Sequence, residues 1–480
     1  MFRSPRLEHV AALIAAALVY CSMASVPRAG GMENDGLPGA VAERRVDYAG
    51  EYTRTDGTPI YVASRDDRWV VVVAGNVLPL RQNGPDRFEV VGVSESVRFE
   101  RGHDGAVVAV LDSQGRYPLN SRVLPARVAA MFSDSRSPRY RYAPPASIDG
   151  GLPVDDASRH GLSRAAIEKI VGDIETEPDY RHVHSLLVQR KGVLILEEYF
   201  AGFDRDLPHN LRSATKSVIA TLVGAAILRG DITIDDHPLA AIADSAGVEI
   251  TDHKRTLTLA DLLDMRHGLR CDDWDADSPG NERNIYAEDD WTSFILSIPD
   301  AEAADDPSYC SAMPLMVGRY LEIATRKSLT DFADESVFTP LGMRRDQWRW
   351  DFDLRAKRTP HGGQIHLRPY DMMWIGTLYA RDGVAMTEVR LLPSGWVEET
   401  FDAIMPLGDW RRYHNFWWSY DVIRPPAASV TIHTASGIGG QRIAVIPMLD
   451  LIIVMTGGSF DEGQRGPRMV IERLVRAISN

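Results

Sequence analysis

The chain has 480 residues, 44% apolar and 25% charged, the balance of a soluble globular protein and more length than one average domain needs. Its formal net charge of −14, with no block of Lys and Arg, argues against a nucleic-acid partner, because phosphate binding draws on clustered cations. Three cysteines and no Cys/His cluster at zinc-ligand spacing give no sign of a metal site, and no cofactor is expected.

In chain order, Arg3 and Arg6 precede VAALIAAALVYCSMAS, a short apolar run that ends in small residues. Basic, apolar, then small-x-small is the layout of a secretory signal, here residues 1–24 with cleavage expected after Ala24. The run is shorter than the roughly 20 residues of a bilayer span, so the mature protein is expected to be periplasmic or secreted, with no stable membrane span. Cys21 could be read as a lipoprotein site, but Tyr20 is too bulky beside the cut. Residues 25–45 are rich in Gly, Pro and charge and read as a linker.

Residues 46–125 show short runs of β-branched and aromatic residues around the turn dipeptides Asp56-Gly57, Asn83-Gly84, Asp104-Gly105 and Gln114-Gly115. Such spacing argues a small all-β, barrel-like domain. It holds no ionisable cluster, so it reads as a structural or substrate-covering module. Residues 126–147 form a second Pro-rich linker. From 148 to 480 the text is mixed. Ser163 caps a helix. HSLLVQRKGVLILEEYF reads as a hairpin around Lys191-Gly192. TLADLLDM, MVGRYLEIA and YDMMWIGTLYA read as helices among polar loops. HNFWWSYDVI, SVTIHTA, QRIAVIP and LDLIIVMTG read as strands before a last helix, PRMVIERLVRAIS. Strands at both ends of an α-rich middle predict one sheet assembled from both ends and packed on helices, an α+β arrangement.

The chemistry gathers at LRSATKSVIATLVGAAILRGD, where Ser213 and Lys216 begin an apolar helix that Gly230 ends. Ser-x-x-Lys puts both side chains one turn apart on one face. Serine is a weak nucleophile that needs a base, and a lysine in an apolar site can lose its proton and serve as one. Taken alone, the pair occurs in many helices by chance. Two further stretches give it company. Tyr309 and Ser311 stand in a polar loop just before a helix, where a tyrosine can relay protons. Ser436, Gly437 and Ile438 lie in a Gly-rich strand end, where backbone N–H groups can hold an oxyanion.

Ser213-Ala214-Thr215-Lys216, Tyr309-Cys310-Ser311 and Ala435-Ser436-Gly437 resemble, in order and spacing, the three motifs of the serine β-lactamase and penicillin-binding superfamily. The resemblance covers about residues 150–480. It is to the class C-like branch, with its esterases and 6-aminohexanoate-dimer hydrolases. LLDMRHGL, DFADESVFTPLGM, GGQIHLRPYDM and PMLDLIIVMTGG add to it. It implies a β-lactamase-like domain of antiparallel sheet and helices, with Ser213 as nucleophile, Lys216 as base and Tyr309 sharing proton transfer. Ser311, Ser436, Gly437 and Ile438 would then meet substrate or oxyanion. It implies an acyl-enzyme and a small ester, amide or short peptide-like substrate. Ser311 stands where asparagine is common, and Ala435 stands where true β-lactamases have a lysine, which argues against efficient β-lactam hydrolysis. The alternatives are a D,D-peptidase, penicillin-binding protein or β-lactamase, and a non-catalytic binding protein on the same scaffold.

Some residues stand apart from these motifs. His433 and His361 are near glycines, but lone histidines are more often structural. Trp417 and Trp418 suit core packing or a pocket. The acidic run CDDWDADSPGNERNIYAEDDW reads as a solvated loop, or as a recogniser of a cationic substrate end. Cys271 in this run and Cys310 in the second motif are either bonded, pinning the loop over the site, or two buried thiols.

Overall fold

The structure, a computed structural model, describes residues 48–480 except 54–58, 66–67, 74–75, 92–95, 113–114, 132–139, 181, 303–306, 352–363, 403–405, 409–410, 425–428, 459–464 and 480. The expected signal segment, the expected first linker and His361 therefore lie outside the described residues. The chain divides into two units, residues 1–135 and 136–480.

The first unit is a closed, eight-stranded antiparallel barrel. Its strands are β1 (Gly50–Thr53), β2 (Pro59–Arg65), β3 (Arg68–Val73), β4 (Asn76–Gly84), β5 (Arg87–Val90), β6 (Ser96–Arg101), β7 (Val107–Leu111) and β8 (Arg116–Ser121). Each strand pairs with the next, and β1 closes on β8 through Tyr52 opposite Leu119. Closure leaves no sheet edge. Tyr48, Tyr52, Phe88 and Phe99 fill part of the interior, with ring centroids 4.6–5.9 Å apart.

The second unit is built on a seven-stranded antiparallel sheet of order β10-β9-β18-β17-β16-β15-β14. These strands are β9 (Val183–Arg190), β10 (Val193–Tyr199), β14 (Arg412–His414), β15 (Trp417–Val422), β16 (Val430–Gly437), β17 (Gln441–Ile446) and β18 (Leu451–Gly457). The early hairpin joins the late strands through β9 and β18, where Val188 faces Ile453. This is the sheet from both ends that the pattern predicts. A three-stranded sheet, β11 (His209–Asn210), β13 (Ile365–Leu367) and β12 (Arg349–Trp350), was not foreseen.

Helices cover both faces of the large sheet. On one side, α1 (Arg164–Thr176) and α5 (Arg465–Ala477) bring Ile167, Ile170, Ile174, Val470, Ile471 and Leu474 onto Leu186, Val188, Ala444 and Ile453. Ser163 caps α1 as expected, its Oγ accepting from the Ala166 N–H at 3.2 Å. On the other side lies α4 (Pro369–Ala380). A Cβ at Gly376 would lie 2.6 Å from Ile452 Cγ2, so only glycine allows this approach. Against α4 packs α2 (Thr215–Arg229), buried from Thr215 to Ala226 and ended by Gly230 at φ 77°. A helix apolar on all sides belongs inside a protein. α3 (Ala312–Thr325) packs beside it.

One expected strand is broken. The stretch 414–423 is not continuous: Asn415 and Phe416, at φ 45° and 59°, turn the chain between β14 and β15. Tertiary bonds hold that turn, from Asn415 N–H to Asp264 Oδ1 at 3.1 Å and from Phe416 N–H to the Leu263 carbonyl at 3.1 Å.

Candidate active site

Ser213 sits in a tight 3-10 turn, Arg212–Ala214, that leads into α2. Arg212 takes φ 52°, a conformation that β-carbon residues adopt at a cost of about 1–2 kcal/mol. The turn is closed by the Ala214 N–H donating to the Leu211 carbonyl at 3.1 Å. Lys216, 1% exposed, reaches back one turn and donates to Ser213 Oγ at 3.2 Å.

The structure brings the second motif to the same point. Lys216 Nζ also donates to Ser311 Oγ at 3.1 Å, lies 4.8 Å from the centroid of the Tyr309 ring, and hydrogen-bonds to that tyrosine. The third motif closes the other side. A Cβ on Gly437 would lie 2.0 Å from the Leu211 carbonyl oxygen and 3.2 Å from the Ala214 nitrogen, so the end of β16 abuts the Ser213 turn. Ser436 is partly exposed beside it, paired with Arg442 of β17, and Ile438 follows in the turn. Arg442 is buried and donates to the carbonyls of Gly437 and Gln441, both at 2.7 Å, which braces the strand end.

Two carboxyls of the acidic run, which reads as a solvated loop or as a recogniser of a cationic substrate end, turn inward toward the second motif. Asp273 Oδ2 accepts from the Ser311 N–H at 2.8 Å, and its Oδ1 accepts from the Glu282 N–H at 3.0 Å. Ser311 Oγ donates to Glu282 Oε2 at 3.0 Å. The cause is electrostatic. A buried ammonium needs compensation, and no acid stands near Lys216 on its own helix. That demand was the one signal in the sequence. The cysteines supply the anchor: Cys271 and Cys310 form a disulfide, Cα–Cα 5.6 Å, that ties the acidic loop to the second motif.

These neighbours reverse the expectation that Lys216 is held neutral. Burial alone pulls its pKa down, but Tyr309, Asp273 and Glu282 outweigh burial and hold it above the ordinary value. Burial pushes Asp273 up against the pull of Lys216. Burial, then Asp273, pushes Glu282 up to about 8.

The two tryptophans part company. Trp417 is core, its ring 4.4 Å from that of Tyr379. Trp418 stacks on Tyr309 at 5.5 Å, and Trp274, from the acidic loop, stacks on Tyr309 at 5.4 Å. The Arg411 guanidinium lies 4.4 Å from the Trp418 ring centroid and 5.7 Å from that of Trp274. His433 is engaged elsewhere, with Ser419 Oγ at 2.8 Å and Phe401 stacked at 4.1 Å. Among the described residues no group of His, Cys, Asp or Glu could hold a metal ion. Nor is any helix among them long and apolar enough to cross a membrane.

A seven-stranded antiparallel sheet between helices, with Ser-x-x-Lys against the end of β16, defines a β-lactamase-type fold. The Beta-lactamase family model matches residues 174–457, more than half of the chain, and the chain belongs to that family. It is similar to the 6-aminohexanoate-dimer hydrolase of Paenarthrobacter ureafaciens, 23% identical over 312 residues, or 59% of this chain and 74% of that protein. In structure it is similar to a "putative beta-lactamase" from Bacteroides dorei DSM 17855, with TM-score 0.50 and 16% identity over 65% of this chain and 98% of that one. It is also similar to a class C beta lactamase from Rhodobacter sphaeroides, with TM-score 0.45 and 17% identity over 65% and 97%. The first of these structural likenesses supports the fold alone.

Proposed function

We propose that this protein is an exported serine hydrolase that cleaves an ester or amide of a small substrate through an acyl-enzyme on Ser213. The observation that carries the reading is the buried Lys216 ammonium 3.2 Å from Ser213 Oγ, with the second and third motifs on either side. Lys216, helped by Tyr309, takes the Ser213 proton as Oγ attacks the carbonyl. The N–H groups of Ser213 and Ile438 hold the oxyanion, a term often worth several kcal/mol. Tyr309 protonates the leaving group, and water then releases the acyl group. Ser311 orients the lysine, while Ser436 and Gly437 line the strand edge along which substrate lies.

The likeness to a 6-aminohexanoate-dimer hydrolase supports a linear amide. Ala435 supports the same choice over β-lactams, since it offers no cation to a substrate carboxylate. The basic-apolar-small N-terminus and the Cys271–Cys310 disulfide support export, because disulfides persist in oxidising compartments.

The test is intact-mass analysis after a fluorophosphonate probe. The wild type is expected to gain one adduct and Ser213→Ala none, with its fold intact by circular dichroism. A folded wild type that takes no adduct rejects the assignment and favours a non-catalytic scaffold. Stable acylation by penicillin would move the reading to a penicillin-binding protein.

A further inference from the structure

We propose that Glu282 receives the proton of Lys216 through the Ser311 hydroxyl, so that Lys216 is a free base when Ser213 attacks. The inference rests on the serine-hydrolase reading and names a device that the three motifs do not contain.

The geometry is an unbroken chain of contacts. Ser213 Oγ to Lys216 Nζ is 3.2 Å, Lys216 Nζ to Ser311 Oγ is 3.1 Å, and Ser311 Oγ to Glu282 Oε2 is 3.0 Å. Each gap suits a hydrogen bond. Above about pH 8, where Glu282 has lost its own proton, Ser311 accepts from the lysine and donates to the carboxylate at once, which is what a relay requires. A hydroxyl can take a proton on one side while releasing its own on the other. The asparagine common at this position in the resembling proteins cannot do so, because its amide has separate donor and acceptor atoms.

The proton balance closes. Lys216 Nζ–H⁺ gives one proton to Ser311 Oγ as Ser311 gives its hydroxyl proton to Glu282 Oε2. An ammonium and a carboxylate become an amine and a carboxylic acid, and the charge of the pair stays at zero. The amine lone pair then accepts the Ser213 proton as Oγ forms its bond to carbon. When the leaving group takes that proton, the relay runs backward and restores the ammonium and the carboxylate; in deacylation the proton taken from water returns to Ser213 Oγ.

The surroundings explain why a lysine held in its charged form needs such an outlet. Facing it are Tyr309 and Ser311 of the second-motif segment, and Asp273 and Glu282 of the disulfide-anchored loop. Arg212, from the Ser213 turn, acts on Glu282 and favours its charged form. Tyr413 lies beyond Tyr309, its hydroxyl pushed up by burial, and so is a neutral neighbour. Asp273 holds the relay in register, one oxygen on the Ser311 N–H and the other on the Glu282 N–H. Glu282 meets no substrate in this scheme; it is a positioning residue for a proton and acts through Ser311.

The experiment is the rate of fluorophosphonate labelling of the full-length mature protein from pH 5 to 10, read by intact mass. The set is wild type, Glu282→Gln, Glu282→Asp, Ser311→Ala and Ser311→Thr. The acid limb of the wild type reports the first proton lost by the Lys216–Glu282 pair. Glu282→Gln and Ser311→Ala are expected to move that limb upward by about one pH unit or more. Glu282→Asp and Ser311→Thr keep an acid and a hydroxyl and are expected to keep the limb near its place. A limb unmoved in either Glu282→Gln or Ser311→Ala overturns the relay. So does a downward shift in Glu282→Gln, which is what a carboxylate that merely held the lysine charged would give. If Glu282→Gln does not fold, Ser311→Ala decides alone. A wild type that is labelled normally while the variants fail the test sinks only the relay; an unlabelled wild type removes the serine-hydrolase reading and the relay together.

Discussion

Gly437→Ala adds one methyl group where the backbones of β16 and the Ser213 turn come together. The new Cβ would stand 2.0 Å from the Leu211 carbonyl oxygen, where ordinary contact begins at 3.4 Å, and 3.2 Å from the Ala214 nitrogen. Those two atoms form the hydrogen bond that closes the Ser213 turn. The methyl therefore enters the turn itself, and either β16 or the turn must move by about 1.4 Å to reach ordinary contact. Overpacking of this kind costs about 1–3 kcal/mol, and losing the turn bond adds about 1 kcal/mol, so about 2–4 kcal/mol in all. Displacing a reacting group by about 1 Å lowers rates about 100-fold. Denaturant unfolding should show a lower midpoint with unchanged slope, and fluorophosphonate labelling should slow by about two orders of magnitude. A variant with wild-type midpoint and a labelling rate within about twofold would refute the claim that this close approach positions Ser213.

Two further outcomes follow from residues around the site. The Cys271–Cys310 bond spans a sequence separation of 39, which on the loop-entropy account stabilises by about 4 kcal/mol. Reduction, verified by mass, should lower the unfolding midpoint and slow labelling together, because the loop it frees carries Asp273; an unchanged midpoint would show that the bond constrains nothing. His267 is buried and pushed down to about 4 by that burial, with Nδ1 accepting from the Leu269 N–H at 3.1 Å and Nε2 on the Ser308 carbonyl at 3.0 Å. Its folded pKa lies below its unfolded one, so the unfolded chain binds the proton first. Its share of stability should be present above about pH 6.5 and be lost by about 1.4 kcal/mol per unit as pH falls toward 4. Urea titrations at several pH values, on wild type and His267→Gln, test this: the same pH slope in both would remove His267 as the cause.

The parts of this molecule that sequence reveals are those whose cause is local. Turn dipeptides such as Asp104-Gly105, with Gly105 at φ 80°, punctuate the barrel. The all-round apolar face of α2 announces an interior helix, and Ser-x-x-Lys marks its mouth. The misread parts depend on partners far along the chain. Asn415 and Phe416 take positive φ because Leu263 and Asp264 reward it, which no propensity for Asn-Phe foretells. Asp273 and Glu282 belong to a run whose other acids are mostly exposed; only their pairing with Lys216, which comes from three-dimensional closure, sets them apart. Trp417 and Trp418 are neighbours on opposite faces of one strand, so a single judgement of the pair fails for one of them.

The order of strands also dictates an order of folding. Every barrel strand pairs with its sequence neighbour, apart from the one closing contact of β1 with β8, so the barrel is assembled almost wholly from local contacts. Such units form early, since little loop entropy is lost before contacts are gained. The large sheet is the opposite case. Its first hairpin waits for β18, and Arg190 finds Leu451 only after nearly the whole chain is made. Until then the β9 edge stands open, a row of unpaired backbone groups between apolar faces, and this is the species most exposed to aggregation. Truncation shortly before Leu451 would leave a folded barrel trailing a chain unable to close its sheet.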